Sequence, residues 1–313
     1  MQVINSLDEI RIVNRTAVAL GNFDGVHIGH RAILQSAVDC AKAAGLSSVC
    51  YTFSNHPANY FLEKAGRYDE CVKLICTDEE KLRMLDEIGF DTVINLPFDE
   101  SICKMKAADF IHKTLADQIN AAEVFCGFNY NFGDRAEGNV ELLQNECRNL
   151  DINVNVLDAV CVNGVVVSST EVRRLIAEGD METLSLFLGR NYSLGGNVSH
   201  GSKVGRKIGF PTVNVTAPLS MALPPNGVYF TDASVDNIKY HAITNIGVKP
   251  TVGGKVKSIE TNMFDFDGDL YGKDVNVEFL KWERPEKDFG SIELLQKQIE
   301  IDCAKAREYH EKR

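Results

Sequence analysis

The sequence predicts an α/β protein of two domains, in which a Rossmann-like domain is followed by an antiparallel β-barrel with a C-terminal helix. Three observations support this prediction. The 313 residues exceed the roughly 100–200 residues of a usual single domain. In the first half, apolar strand patterns alternate with helical patterns, and after about residue 185 short strands are separated by glycine and proline. We therefore expect domains over residues 1–185 and 186–313.

The first half contains short apolar, β-branched runs that are typical of buried strands. Between them, one helical pattern ends at Gly45, and another begins with a Thr77 to Glu80 capping box and ends at Gly89. Strands and helices in this alternation predict a parallel, doubly wound sheet. The predicted strands are Ala17–Leu20, Ser48–Phe53, Thr92–Leu96, Glu123–Cys126 and Asn153–Leu157.

The second half has the pattern of an antiparallel sheet or small barrel. Its clearest strands are Val228–Phe230, Tyr240–Ile243 and Val275–Phe279. A closing helix follows, and we expect it to pack on the barrel. Its predicted apolar face carries Leu294, Leu295, Gln298, Ile299 and Cys303.

Composition excludes several classes of function. The net charge of -11 repels polyanions, so we expect no nucleic-acid partner, although a small nucleotide can still bind through local donors and a metal ion. Nine cysteines without a CxxC pair indicate reduced thiols in a cytosol. The acidic N-terminus does not resemble a signal peptide, and no stretch is apolar enough to span a membrane. We expect a cytoplasmic protein that is a monomer or a weak homo-oligomer.

A first candidate site lies in the segment from Gly21 to His30, between the first strand and the first helix. Ligands bind at this position in open α/β sheets. His27 and His30 are three residues apart at a helix start, so both rings can face a phosphate beside unpaired backbone N–H groups. Gly25 and Gly29 would let a triphosphate approach the backbone.

A second helix start with anion-binding character lies at Ser168, Ser169 and Thr170. Ser168 and Glu171 have capping-box spacing, which by itself only predicts a helix N-terminus. Arg173 adds a guanidinium that suits phosphate within one turn of that N-terminus. Two such helix ends facing one pocket would clamp a nucleotide.

The tetrapeptide from His27 to His30 resembles the signature of class I aminoacyl-tRNA synthetases and their nucleotidyltransferase relatives. These enzymes stabilise charge at the α-phosphate of ATP and release pyrophosphate without a covalent nucleophile. The lysine-rich KMSKS loop of a synthetase is absent from the sequence. A small-molecule adenylyltransferase fits better.

An ordered series of motifs runs along nearly the whole chain. The motifs are Gly21–His30, Thr52–Pro57, Gly127–Gly133, Ser168–Thr170, Leu188–Arg190, Gly205–Asn214, Gly227–Tyr229, Asn245–Gly247 and Leu270–Gly272. This series resembles the bacterial bifunctional riboflavin kinase/FMN adenylyltransferase family. The resemblance implies an N-terminal nucleotidyltransferase domain that adenylylates FMN and a C-terminal riboflavin kinase domain, with Mg²⁺ as cofactor and ATP, riboflavin, FMN and FAD as substrates or products.

The resemblance also implies roles for individual residues. Glu260 would accept the ribityl hydroxyl proton, and Thr212 and Asn214, two apart on a predicted strand, would offer Mg²⁺ the oxygen ligands it prefers. Flavin binding would involve His56, Pro57 and Asn129, and His27, His30 and Arg173 would act in catalysis of adenylylation. The ATP-binding residues would be Gly21, Phe23, Gly25, His27, His30, Ser168, Ser169, Thr170, Arg173, Gly201, Gly205, Arg206, Thr212 and Asn214.

Three positions depart from the family pattern. Asn129 and Tyr130 replace an Asp-Phe pair, Ser54-Asn55 lacks the proline that commonly precedes the His56-Pro57 pair, and Lys249 replaces an arginine. Because Asn129 carries no charge, an alternative is a riboflavin kinase whose adenylyltransferase domain is inactive or altered. A non-catalytic flavin- or RNA-binding regulator is a further alternative, and the paired residues His27 with His30 and Thr212 with Asn214 argue against it.

Overall fold

The computed structural model describes residues 1–199, 209–236, 238–251, 254–268, 270 and 272–313. The chain divides into two compact units, Met1–Glu171 and Val172–Arg313. Helix α7 begins in the first unit and continues into the second. The helices are α1 (Ile28–Ala44), α2 (Pro57–Lys64), α3 (Asp78–Ile88), α4 (Glu100–Cys103), α5 (Ala107–Asp109, continued as a π-helix over Phe110–Gln118), α6 (Val140–Arg148), α7 (Ser169–Glu178), α8 (Met181–Leu188) and α9 (Ile292–Glu311).

The first unit is built on a six-stranded sheet whose neighbouring strands are all parallel. Its strands are β1 (Gln2–Ile4), β2 (Thr16–Leu20), β3 (Ser47–Phe53), β4 (Thr92–Leu96), β5 (Ala121–Gly127) and β8 (Asn153–Leu157), in the order β1-β4-β3-β2-β5-β8. In chain order, β3 and β4 are added on one side of β2, and β5 and β8 are added later on its other side. The carboxyl end of β2 is therefore a topological switch point.

The predicted parallel sheet is confirmed, and each predicted strand lies within two residues of its expected bounds. The edge strand β1 was not predicted, because three residues are too few to show a pattern. Two short antiparallel hairpins complete the unit. They pair β6 (Asn131–Phe132) with β7 (Gly138–Asn139), and β9 (Cys161–Val162) with β10 (Val165–Val166).

Alternation along β2 distributes its side chains between two cores. Ala17 and Ala19 join the core formed with α1 and α3, and Val18 and Leu20 join the core formed with α5 and α6. Both predicted helix ends are present, since α1 stops at Gly45 with φ of 66° and α3 has the complete capping box at Thr77 and Glu80. Helices thus cover both faces of the sheet.

The second unit is a closed barrel, and every neighbouring pair of its strands is antiparallel. The strands are β11 (Tyr192–Ser199), β12 (Val213–Val215), β13 (Gly227–Val235), β14 (Ile238–Thr251), β15 (Gly254–Met263) and β16 (Asp274–Arg284), in the order β11-β12-β15-β14-β13-β16. Pairing of β16 with β11 closes the barrel. The predicted antiparallel barrel is confirmed.

Helix α9 packs on the outer face of the barrel through its later turns. Its Cys303 and Ala306 lie in one apolar cluster with Val228, Phe230 and Ile243 of the barrel strands. The helix was predicted, but the prediction of its buried face was only partly right, because Leu294 is exposed. The first turn of α9 extends beyond the apolar surface of the barrel. Helical periodicity in the sequence does not show where that surface ends.

Candidate functional site

The loop after β2 has an unusual backbone. Phe23, Gly25 and Val26 have φ angles of 52°, 80° and 39°. A positive φ is rare outside glycine and is a true outlier for a β-branched residue such as Val26. Such strain persists only where surrounding contacts hold it, and it is concentrated at functional sites. The loop is therefore a fixed structure at the switch point of the sheet.

Asp24 is the anchor of this loop. It is buried, and its Oδ1 accepts hydrogen bonds from the backbone N–H groups of Ile75 (3.0 Å) and Cys76 (3.5 Å). The N–H of Gly25 donates to the Sγ of Cys76 at 3.2 Å. Sequence reasoning missed this role, because Asp24 and Ile75 are 51 residues apart and no local pattern connects them.

The two histidines occupy the N-terminus of α1, as predicted from their spacing. His27 is the N-cap, and its Nδ1 accepts a hydrogen bond from the backbone N–H of His30 at 3.1 Å. Their rings are stacked, with centroids 3.5 Å apart, and the edge of Phe23 meets His30 at 5.3 Å. Because Nδ1 of His27 accepts, the proton of a neutral ring is on Nε2, which can donate to a phosphate oxygen.

Two of the loop glycines have packing reasons of their own. A Cβ on Gly25 would lie 2.5 Å from Cγ2 of Ile75, and a Cβ on Gly21 would lie 2.8 Å from the ring of Phe23. Because these glycines have no Cβ, the loop can pack against itself and against residues 75–76. For Gly25 this packing reason stands beside the prediction that Gly25 and Gly29 let a triphosphate approach the backbone.

The start of α7 lies against the same loop. Ser169 donates its hydroxyl to the main-chain oxygen of Asp24 at 3.2 Å, and Ser168 accepts from the N–H of Glu171 at 3.2 Å. The structure therefore brings together the two helix N-termini that the sequence analysis singled out. Thr170 is exposed, and Arg173 lies one turn further along α7, half-buried, in the second unit.

The residues predicted to bind flavin follow the strands on either side of β2. His56 caps α2, where its Nδ1 accepts from the N–H of Ala58 at 3.2 Å, and Pro57 is at the first helical position. Asn129 is exposed just after β5. Because β3, β2 and β5 are neighbouring parallel strands, their carboxyl ends lie at one edge of the sheet. His56, Pro57 and Asn129 therefore follow the same edge as the histidine loop.

In the second unit, a row of polar residues crosses three neighbouring strands. Glu260 of β15 is paired directly with Asn214 of β12 and with Asn245 of β14. Directly opposed residues project to the same face of a sheet, and all three side chains are half-buried. The sequence analysis predicted Asn214 and Glu260 as site residues but gave no role to Asn245 of the Asn245–Gly247 motif, because strand register is not visible in the sequence.

Thr212 immediately precedes β12, so strand alternation does not set the direction of its side chain. It lines a cavity of about 280 Å³, together with Val213, Thr261 and Met263. Gly201, Gly205 and Arg206, which were predicted to bind ATP, lie outside the described residues.

A half-buried lysine lies on the same strand as Glu260. Lys257 donates from Nζ to the main-chain oxygen of Pro224 at 2.7 Å. Burial lowers the pKa of this ammonium from its usual value of 10.5, because a charged group loses hydration there.

Family models match both units. The FAD synthetase model matches residues 9–171, and the riboflavin kinase model matches residues 188–310. The chain belongs to the bifunctional riboflavin kinase/FMN adenylyltransferase family. The resemblance inferred from the sequence motifs is thereby confirmed.

Curated relatives of this family match along the whole chain. The bifunctional riboflavin kinase/FMN adenylyltransferase of Pseudomonas fluorescens is 34% identical over 98% of this chain and 97% of its own length. That of Bacillus subtilis is 33% identical over 94% of this chain and 92% of its own, and that of Escherichia coli K12 is 33% identical over 93% and 92%. The family relationship therefore includes both units.

One solved structure is similar over nearly the whole chain. It is described as a macrolide-efflux protein from Streptococcus pneumoniae, and it has a TM-score of 0.86 and 29% sequence identity over 97% of this chain and 98% of its own. Among the described residues of the present chain, no helix is both long enough and apolar enough to cross a membrane.

Proposed function

We propose that this chain makes both flavin cofactors, by phosphorylating riboflavin to FMN with ATP and then adenylylating FMN to FAD with release of pyrophosphate. The observation that carries the proposal is that one chain holds two separate groups of polar side chains, the histidine loop after β2 and the polar row at Glu260. Residues 1–185 perform adenylylation in this proposal, and residues 186–313 perform phosphorylation.

In the adenylylation step, FMN phosphate attacks the α-phosphate of ATP. The strained loop and the N-terminus of α1 hold the triphosphate, with His27 and His30 donating to its oxygens and Arg173 neutralising its charge. Ser168, Ser169 and Thr170 add the second helix start, and His56, Pro57 and Asn129 position the flavin. The contact of Ser169 with the main chain of Asp24 supports this assignment, because it joins the two predicted halves of the nucleotide site.

In the phosphorylation step, the ribityl hydroxyl of riboflavin attacks the γ-phosphate of a second ATP. Glu260 accepts the hydroxyl proton, and Asn245 and Asn214 on the neighbouring strands orient its carboxylate. The direct cross-strand pairing of these residues supports the roles, since sheet hydrogen bonds fix their separation. Gly201, Gly205 and Arg206 cover the phosphates in this proposal.

Thr212 and Asn214 suit Mg²⁺ in this proposal. Thr212 and Asn214 offer neutral oxygen atoms, and a hard cation prefers such ligands when it also binds the phosphates of a nucleotide. Mg²⁺ bound there would neutralise charge on the transferring phosphoryl group. This proposal places the reaction in the cytoplasm, where the nine cysteines of the sequence would stay reduced.

The direct test is to incubate the purified chain with riboflavin, MgATP and inorganic pyrophosphatase and to separate the flavins by chromatography. We expect FMN to accumulate first and FAD to follow. FMN without FAD would contradict the adenylylation half of the proposal, and unchanged riboflavin with folded protein would contradict both halves.

A further inference from the structure

A cluster of three potential metal ligands lies on the outer face of the barrel, away from the residues assigned above. Asp232 of β13 and His241 of β14 are directly paired across the two strands. His310, in the last turn of α9, reaches the same point. The ligand atoms of these residues all lie within 4.8 Å of one another. Three elements separated in the sequence therefore converge on one position.

The distances in this cluster suit a small metal ion. Oδ1 of Asp232 is 2.9 Å from Nδ1 of His241, a hydrogen bond that a bound ion would replace, and it is 3.7 Å from Nδ1 of His310. Two ligand atoms of a tetrahedral Zn²⁺ site are about 3.3 Å apart, given metal–ligand bonds of about 2.0–2.1 Å. The observed distances lie on either side of that value. The His241 side chain is 61% exposed, so its ring has room to tilt from its stacked position on His310.

The buried imidazole of His310 indicates a further ligand, because hydrogen bonds within the described part of the chain do not satisfy its ring nitrogens. Its side chain is 3% exposed. Apart from a contact with the main chain of Ala242, neither ring nitrogen has a hydrogen-bond partner of normal geometry among the described residues. Buried polar atoms are almost always satisfied, and an exception requires an explanation.

Asp232 is held in place from its other side. Its Oδ2 accepts from the guanidinium of Arg313 at 3.3 Å, while Oδ1 faces the two histidines. Ligating carboxylates in metal sites usually have such an outer hydrogen bond, which fixes their orientation. A surface cavity of about 380 Å³ is lined by His241 and His310.

We propose that Asp232, His241 and His310 form a binding site for a divalent late first-row transition-metal ion, with Zn²⁺ as the best-fitting example. Two imidazoles and one carboxylate suit such ions better than Mg²⁺, which prefers oxygen ligands. The site is separate from the Mg²⁺ assignment at Thr212 and Asn214. A bound ion would join α9 to β13 and β14, and so it would stabilise the docked helix.

The test uses the full chain after treatment with a chelator, in a buffer that contains Mg²⁺ to occupy oxygen-rich sites. Equilibrium dialysis against Zn²⁺, with elemental analysis of the protein, should give one tightly bound ion per chain. The substitutions His241→Gln and His310→Gln should each weaken binding by more than about tenfold, because even a residue that only orients a ligand contributes that much. His241 is exposed, so the first variant should retain the fold.

Two control variants make the result specific. His112→Gln changes an exposed histidine that pairs with Glu146, and it should leave Zn²⁺ affinity unchanged. His27→Gln removes a member of the other histidine pair, and it should also leave the affinity of this site unchanged. The proposal would be overturned if the wild type did not bind Zn²⁺. It would also be overturned if both His241→Gln and His310→Gln retained Zn²⁺ binding, or if only His27→Gln lost it.

A second readout tests the link to helix docking. Trp282 is the single tryptophan of the chain and lies on β16, so its fluorescence follows unfolding of the barrel. Zn²⁺ should raise the unfolding midpoint of the wild type, since a ligand that binds only the folded state stabilises it. The same shift in His241→Gln would contradict the assignment of the ion to this cluster.

Discussion

The histidine loop of the first unit and the polar row of the second hold their functional residues by different means. In the loop, a strained backbone is fixed by long-range contacts of Asp24 and Gly25 with residues 75–76. In the barrel, regular hydrogen bonding between strands places Asn214, Glu260 and Asn245 side by side. A loop site therefore depends on its anchors, whereas a sheet site depends mainly on the reacting side chains themselves.

The largest effect should come from Glu260→Gln. The amide keeps the shape of the side chain but cannot accept the hydroxyl proton, so formation of FMN should fall about 10²–10⁴-fold. Adenylylation of supplied FMN should continue at the wild-type rate, because the first unit is unchanged. Equal loss of both activities, measured by flavin chromatography, would contradict the assignment of the reactions to two sites.

The next effect should come from the anchor of the loop. Asp24→Ala removes the acceptor of the Ile75 and Cys76 N–H groups, and a displacement of about 1 Å in a substrate-holding loop can lower a rate about 100-fold. FAD formation from supplied FMN should fall by up to that factor, while FMN formation should be retained. Asp24→Asn keeps one acceptor oxygen and should recover part of the activity; failure to do so would argue against a positioning role.

Gly25 and Gly164 form a matched pair for testing the strain in the loop. Their φ angles are 80° and 79°, but a Cβ at Gly25 would meet Ile75 at 2.5 Å, whereas nothing lies within 4 Å of one at Gly164. Gly164→Ala should cost about 1 kcal/mol of unfolding free energy for the left-handed backbone. Gly25→Ala should cost about 2–4 kcal/mol, since overpacking is added. If urea unfolding showed similar losses of unfolding free energy for Gly25→Ala and Gly164→Ala, the packing against Ile75 would be unimportant.

In the barrel, a buried threonine ladder supports the strand that carries Glu260. Thr244 Oγ1 is 2.8 Å from that of Thr231 and 2.9 Å from that of Thr261. Thr244→Val keeps the volume but removes both hydrogen bonds, so the barrel should lose about 1–3 kcal/mol. Thr231→Val breaks one bond and should cost less. The reverse order, measured by Trp282 fluorescence in urea, would contradict this account.

The smallest effect should be a pH dependence from Lys257. Its pKa is lower in the folded chain than in the unfolded chain, so the unfolded state binds more protons as the pH approaches 10.5 from below. The unfolding free energy of the wild type should therefore rise with pH relative to Lys257→Met in that window. The control is Lys297→Met on the exposed side of α9. If the difference in unfolding free energy between the wild type and Lys257→Met stayed constant between pH 7 and pH 10, the burial of the Lys257 charge would be contradicted.

The sequence by itself determined the class of each unit, the main strands and the helix ends. These features depend on local chemistry, such as the capping box at Thr77 and the left-handed glycines Gly45 and Gly89. The order of motifs also determined the family. His27 and His30 were found because they lie between the first predicted strand and the first predicted helix, at a spacing that places both rings on one helix face.

Only the tertiary structure decided which distant residues meet. Asp24 contacts residues 75–76, Ser169 reaches the main chain of Asp24, and Asn245 is paired with Glu260. The convergence of Asp232, His241 and His310 is of the same kind. Contacts of this sort depend on strand register and on helix docking, which are set by packing of the whole unit rather than by any short stretch of sequence.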